Sequence, residues 1–247
     1  MFSIIIRTLL LFIWLSGHQA GGQKTGNVTL SITHFAGSEK LVPGAFYNNS
    51  FGETYTISRF KYYISGIKLI STDGRMTIET GDPCYLVYDD NEASKTISLE
   101  IPEGSYSAIS LQLGVDSVYN VSGAQTGALD PVNGMFWTWN TGYVIVKLEG
   151  KSPVSTLPGK RIEYHLGGFK GPDKVNRRIT LPFPGAGVAV IQAKSVAINM
   201  KVDINAFFSG INELPIKTYS ACTVAGGLAR QYADNYATMF SITRVDE

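Results

Sequence analysis

Apolar and polar residues alternate with a period of two along most of this chain, the signature of half-buried β-strands. In Val28-Thr29-Leu30-Ser31-Ile32-Thr33-His34-Phe35, the residues Val28, Leu30, Ile32 and His34 fall on one face. The same alternation runs through residues 57–70, 84–88, 95–101, 105–115, 142–150, 162–166, 177–181 and 188–202. Thr72-Asp73-Gly74-Arg75 turns the second of these stretches back into Met76-Thr77-Ile78, because Asp-Gly suits the tight turns of hairpins. Glycine, proline, asparagine and aspartate punctuate the rest.

One segment breaks the pattern. Between Gly226 and Phe240 the residues Leu228, Tyr232, Asn235, Tyr236 and Met239 recur at helical spacing, with alanines beside them. Residues 240–245 then return to strand character. Asp116 to Asn133 is polar and contains glycine, so it is expected as a loop of a length that usually has a function. The expected fold is all-β: a predominantly antiparallel β-sandwich with long loops and one C-terminal helix. A closed barrel is the nearest rival, since periodicity does not reveal closure.

The first twenty residues do not belong to that pattern. Arg7 precedes an apolar run from Leu9 to Leu15, and small residues follow from Ser16 to Gly22. This is the order of a secretory signal, and the run is shorter than the ~20 residues that span a bilayer. Residues 1–20 are therefore expected as a signal peptide and 21–247 as a single domain, periplasmic or secreted, with no stable membrane insertion once the signal is removed. No cysteine follows the apolar run, which argues against a lipid anchor.

Charge removes further classes. With 21 Lys and Arg against 20 Asp and Glu, the chain is near neutral, and its cations are scattered. Nucleic acid needs a basic stripe, and an anionic membrane surface needs a basic cluster; neither is present in the sequence. There is no G-x-S-x-G elbow and no Walker loop. Gly185-Ala186-Gly187 reads as a hairpin turn, because no βαβ setting surrounds it. Asp89-Asp90 reads as a solvated turn rather than the convergent carboxylate pair of a glycosidase. No enzymatic activity is expected. The two cysteines, Cys84 and Cys222, suit either an extracytoplasmic disulfide or two small core residues, and both readings stay open.

Candidate chemistry rests on few side chains. Outside the leader there are two histidines, His34 and His165, and two tryptophans, Trp137 and Trp139. Either histidine could be an ordinary buried residue. The tryptophans lie two apart, so an extended backbone puts both rings on one face. They could be core aromatics, a platform for sugar rings, or an oxidisable pair beside a metal. Two imidazoles are too few for structural zinc, whereas cuprous ion accepts two or three imidazole or thioether ligands. Met135, Met200 and Met239 are the candidate sulfur donors.

The run from Asp116 to Pro131, leading into Gly134-Met135-Phe136-Trp137-Thr138-Trp139-Asn140-Thr141-Gly142-Tyr143, resembles the signature of the MbnP-like copper-binding proteins. Phe60-Lys61-Tyr62-Tyr63-Ile64-Ser65, the strand ending at His34, Tyr164-His165-Leu166-Gly167-Gly168 and Ala233-Asp234-Asn235-Tyr236-Ala237 follow the same order. The resemblance implies an exported, methanobactin-associated β-rich protein that binds copper, as Cu(I) rather than Cu(II), for acquisition, storage or delivery. It implies a metal site drawn from His34, His165, Trp137 and Trp139, with one tryptophan oxidised to kynurenine by a dihaem peroxidase-type partner. Met135, as a thioether donor in the same segment, completes the candidate set. No histidine flanks Trp137 or Trp139, a departure from some related copper proteins. The alternative is a cell-envelope module that binds a glycan or a protein without metal.

Overall fold

The computed structural model describes residues 24–77, 82–123, 125–137 and 142–246. In chain order the strands are β1 (Thr25–Ala36), β2 (Glu39–Lys40), β3 (Phe46–Asn48), β4 (Thr54–Ser71), β5 (Cys84–Tyr88), β6 (Thr96–Pro102) and β7 (Gly104–Leu113). They continue with β8 (Val144–Lys151), β9 (Arg161–Gly167), β10 (Arg177–Pro182), β11 (Val188–Val190), β12 (Ser195–Asp203), β13 (Ala221–Cys222) and β14 (Phe240–Asp246). Among the described residues three α-helices accompany them, α1 (Ser117–Asn120), α2 (Asn205–Ser209) and α3 (Gly227–Ala237). The fold is predominantly β, as the alternation predicts, and α3 is the expected C-terminal helix.

The strands form two mixed sheets. Five strands build the smaller sheet, in the path β14-β12-β1-β2 with β6 also paired to β1. Nine build the larger, in the path β10-β7-β4-β8-β9-β13 with β3, β5 and β11 attached. Most pairings are antiparallel, but β1 runs parallel to β12 and β13 parallel to β9. Partners so distant in sequence are free of the hairpin constraint that makes neighbouring strands antiparallel. Residues 188–202, expected as one strand, form β11 and β12 around a turn in which Ala193 takes a positive φ of 62°.

The apolar faces of the sheets meet in the main core. Val28, Leu30 and Ile32 of β1 pack with Phe60, Tyr62 and Ile64 of β4, Leu148 of β8 and Tyr164 of β9. Tyr232 and Tyr236 of α3 close one side of this core, Tyr164 and Tyr232 having ring centroids 4.9 Å apart. The opposite face of the nine-stranded sheet carries a smaller apolar cluster. It consists of Tyr63, Cys84, Val115, Leu129, Met135, Trp137, Tyr143 and Val144. The segment after β7 covers it, as α1 and a series of short 3-10 turns rather than an unstructured loop.

Candidate functional site

His34 lies between the sheets. Alternation along β1 puts it on the face of Leu30 and Ile32, and it is only 2% exposed. Its Nδ1 is 2.6 Å from Asp89 Oδ1, and its Nε2 is 2.9 Å from the Tyr62 hydroxyl. Burial pushes the imidazole below its ordinary pKa against the opposing pull of Asp89, so the ring is neutral. Burial also raises the Tyr62 phenol well above its usual range. The consistent assignment has Nδ1–H donating to Asp89 and Tyr62 O–H donating to Nε2. Lys95 completes the network, donating to the Asp89 carbonyl at 2.9 Å and to Glu92 Oε1 at 2.7 Å. A cavity of about 270 Å³ lined by Lys40, Leu41, Asp89, Glu92 and Lys95 lies against the ring. Both imidazole nitrogens are already committed.

His165 occupies the other side of the large sheet. Tyr164 and Leu166, its neighbours on β9, point into the main core, so His165 points outward between them. It pairs in register with Lys147 on β8, and Glu163 pairs with Glu149. Its Nε2–H donates to Glu149 Oε1 at 2.8 Å, and Arg59 Nη1 donates to Glu149 Oε2 at 2.7 Å. The hydrogen bond from His165 is the main cause that holds the Glu149 carboxyl below its ordinary range, with Arg59 adding to it. A ring whose Nε2–H is fixed by a carboxylate presents its lone pair at Nδ1, the arrangement found behind many metal-ligating histidines.

The tryptophan segment reaches this same face. Asp130 caps the turn Pro131–Asn133 by accepting from Val132 N–H at 2.9 Å, and Gly134 ends it at φ 69°. Tyr63 and Tyr143 donate their hydroxyls to the carbonyls of Ala128 and Leu129. Lys61 and Lys147 reach up from the sheet to the carbonyls of Asn133 and Gly134. So anchored, the chain places Met135 fully inside the small cluster and Trp137 against β9, 6% exposed. The benzo edge of the indole lies over the Cα of Gly167. Gly167 is two residues beyond His165, hence on the same face and about 7 Å along the strand. A ring so covered offers no open platform for a sugar.

The expected site is thus divided. His165, Trp137 and Met135 share the outer face, whereas His34 belongs to the inner core, so the expectation that the two imidazoles meet is corrected. The nine-stranded sheet stands between the two imidazoles, so they cannot converge without unfolding it. Met200 and Met239 are inner-core residues as well. Trp139 lies outside the described residues, as does the expected leader. Among the described residues no cluster of three or more His, Cys, Asp or Glu side chains is arranged for a metal ion. Cys84 belongs to the outer cluster and Cys222 to the inner core, so the open question of a disulfide resolves to two buried thiols with no bond between them. Burial raises the Cys222 thiol to about 11.

Two residues that matter escaped the sequence reading. Asp89 is 9% exposed and orients His34, a correction to its expected place on a solvated turn. Its position two residues beyond the buried Val87 was the available signal. Glu149 lay unnoticed in an alternating strand, and nothing in one sequence pairs it with His165.

Comparison with known proteins follows the same outline. The family model of MbnP matches residues 25–224. Among solved structures, MbnP from Methylosinus trichosporium superposes with a TM-score of 0.52 at 16% sequence identity, over 77% of this chain and 80% of that one. At that identity the likeness concerns the fold. No curated protein matches the chain.

Proposed function

The chain belongs to the MbnP family, and on that premise we propose that it is an exported, methanobactin-associated protein that binds and hands on copper and performs no catalysis. The observation that carries the site is the outer face of β9, where His165, oriented by Glu149, stands two residues from Gly167, against which Trp137 is seated. Copper is the cargo. Cuprous ion suits a site of few, soft or imidazole donors.

The described residues offer one available imidazole nitrogen on that face, which is too little alone. An intact indole adds nothing, because its ring nitrogen only donates. Oxidation supplies the missing donor. A dihaem peroxidase-type partner using two equivalents of hydrogen peroxide cleaves the indole C2–C3 bond, inserting two oxygen atoms and releasing two waters. Hydrolysis of the resulting formamide releases formate and leaves kynurenine, whose aniline nitrogen has a lone pair. His165 Nδ1 and that nitrogen are the ligands in this reading, with Trp137 or Trp139 as the source. His34 is a structural residue in it, and the protein acts outside the cytoplasm.

Cuprous titration against a competing chromophoric chelator tests this, using protein from the native host together with His165→Ala and His34→Ala variants. Loss of binding in His165→Ala with retention in folded His34→Ala is the expected result. Undiminished binding in His165→Ala would remove the site. Peptide mass spectrometry of the native protein locates the kynurenine at Trp137 or Trp139. Two intact indoles in copper-loaded protein would remove the oxidised donor.

A further inference from the structure

We propose that Gly167 is a positioning residue, a notch in β9 that seats the Trp137 ring beside His165. The inference rests on the copper reading for its purpose, although the notch itself is a matter of geometry. A Cβ at Gly167 would stand 2.5 Å from Trp137 Cη2, 2.8 Å from Cζ3 and 3.0 Å from Cζ2. Carbon atoms do not approach so closely, so any side chain here displaces the ring. The backbone of Gly167 has no need of glycine on its own account. It is the last residue of β9, pairs with Val144 beside a bulge whose extra residue lies on β8, and is absent from the positive-φ glycines, which include its neighbour Gly168. Close approach of another group is one of the reasons a strand has glycine, and the Trp137 ring supplies it here.

The contact is also selective about which part of the indole is held. Cζ2, Cη2 and Cζ3 are the benzo carbons remote from the pyrrole ring. Opening of the pyrrole ring leaves all three in place. The notch therefore grips the portion common to tryptophan and kynurenine, and one seat serves the side chain before and after oxidation. The ring is held from the other side by the small apolar cluster containing Met135, Val144 and Tyr143.

A double-mutant cycle tests the seat, with Gly167→Ala made in the wild-type and Trp137→Leu backgrounds and read by urea denaturation. Overpacking predicts that the alanine lowers the folded-to-unfolded ratio roughly tenfold or more in the wild-type background. In the Trp137→Leu background, where no ring is displaced, the same change should cost less than about twofold. Equal costs in the two backgrounds would overturn the proposal. If Gly167→Ala fails to fold, refolding in the Trp137→Leu background supports it and continued unfolding overturns it. The positioning role is read separately, by His165-to-indole nuclear Overhauser contacts and by cuprous affinity. Loss of those contacts and of at least tenfold in affinity supports positioning, and wild-type values for both overturn it. Wild-type protein that binds no cuprous ion would defeat the copper reading, while the cycle and the Overhauser contacts still decide the seat.

Discussion

The two histidines lie on opposite sides of the nine-stranded sheet and differ in what their surroundings leave them. His34 reaches its inner face from β1 of the smaller sheet, and His165 stands on the outer face of β9. On the inner face, His34 is enclosed by aromatic rings, with Phe60 and Tyr62 at centroid distances of 5.0 and 5.6 Å, and both nitrogens are engaged. On the outer face, His165 is partly exposed and tethered through Nε2 to Glu149. A buried polar group with every bond satisfied fixes how two layers pack, and its ring has no lone pair to give. A tethered ring with one nitrogen outside the tether is oriented and still able to bind. Burial alone therefore does not mark a histidine for function; the number of its nitrogens already used is the better guide.

The comparison breaks most visibly on stability. His34→Ala leaves the Asp89 carboxylate and the Tyr62 hydroxyl in the core without their partner, and should cost about 3 kcal/mol, the upper end of the range for a buried hydrogen-bonding group left unsatisfied. His165→Ala removes a partly exposed partner of a surface carboxylate and should cost no more than about 1 kcal/mol. Chemical denaturation of the two variants checks this. Comparable losses would mean that the two faces have been wrongly contrasted.

Proton dependence separates the faces next. His34 has its folded-state pKa lowered, so the unfolded chain binds this proton first as pH falls. Its contribution to stability is whole above the ordinary value of 6.5 and is lost as pH drops from there toward the folded value. The slope is at most about 1.4 kcal/mol per pH unit for one proton. Glu149 is also depressed, and its contribution is whole above the ordinary 4.5 and lost as pH falls through its lower folded value. Stability against pH should accordingly weaken in a first window below 6.5 that a His34→Gln variant lacks. A second window below 4.5, to which the lowered Asp73 and Glu92 also contribute, should be shallower in Glu149→Gln. Identical profiles in wild type and His34→Gln would show that the buried ring does not set the first window.

Much of this was legible in the alternation. Grouping His34 with Leu30 and Ile32 already gives it a core face. The sequence Ile162-Glu163-Tyr164-His165-Leu166 equally puts His165 opposite its apolar neighbours. Period-two patterning thus places one imidazole inward and the other outward, but it does not say which strands lie side by side. That information is in the register of β8 on β9, which includes a bulge, and in the pairing of β1 with β12, which joins segments far apart in sequence. For the same reason the ring-to-glycine contact was hidden: Trp137 and Gly167 are both conspicuous residues, yet only the closed fold brings them together. The small outer cluster was visible only as an aromatic segment following a long polar stretch, because a covering loop has no periodicity to read.

The smallest effect expected belongs to the cover of the outer face. Lys61 and Lys147 each send an ammonium to a carbonyl of the segment ending at Gly134, and burial lowers the pKa of both. Methionine in their place keeps most of the aliphatic stem and removes the donor. Each bond, being partly open to water, should be worth about 0.5–1 kcal/mol. The loss should be local, since Tyr63 and Tyr143 still hold Ala128 and Leu129. Hydrogen exchange of residues 127–135 should therefore quicken in the Lys61→Met, Lys147→Met double variant. Amides of β1 and the inner strands should keep their wild-type protection, because the side chains of the His34 network lie on the inner face of the sheet and the two lysines reach out from the outer face. A matching acceleration on β1 would mean that the loop cover and the inner core unfold as one unit. The outer face could then not open independently to admit an oxidant or a metal ion. Acceleration confined to residues 127–135 would identify this cover as the part of the molecule that yields first.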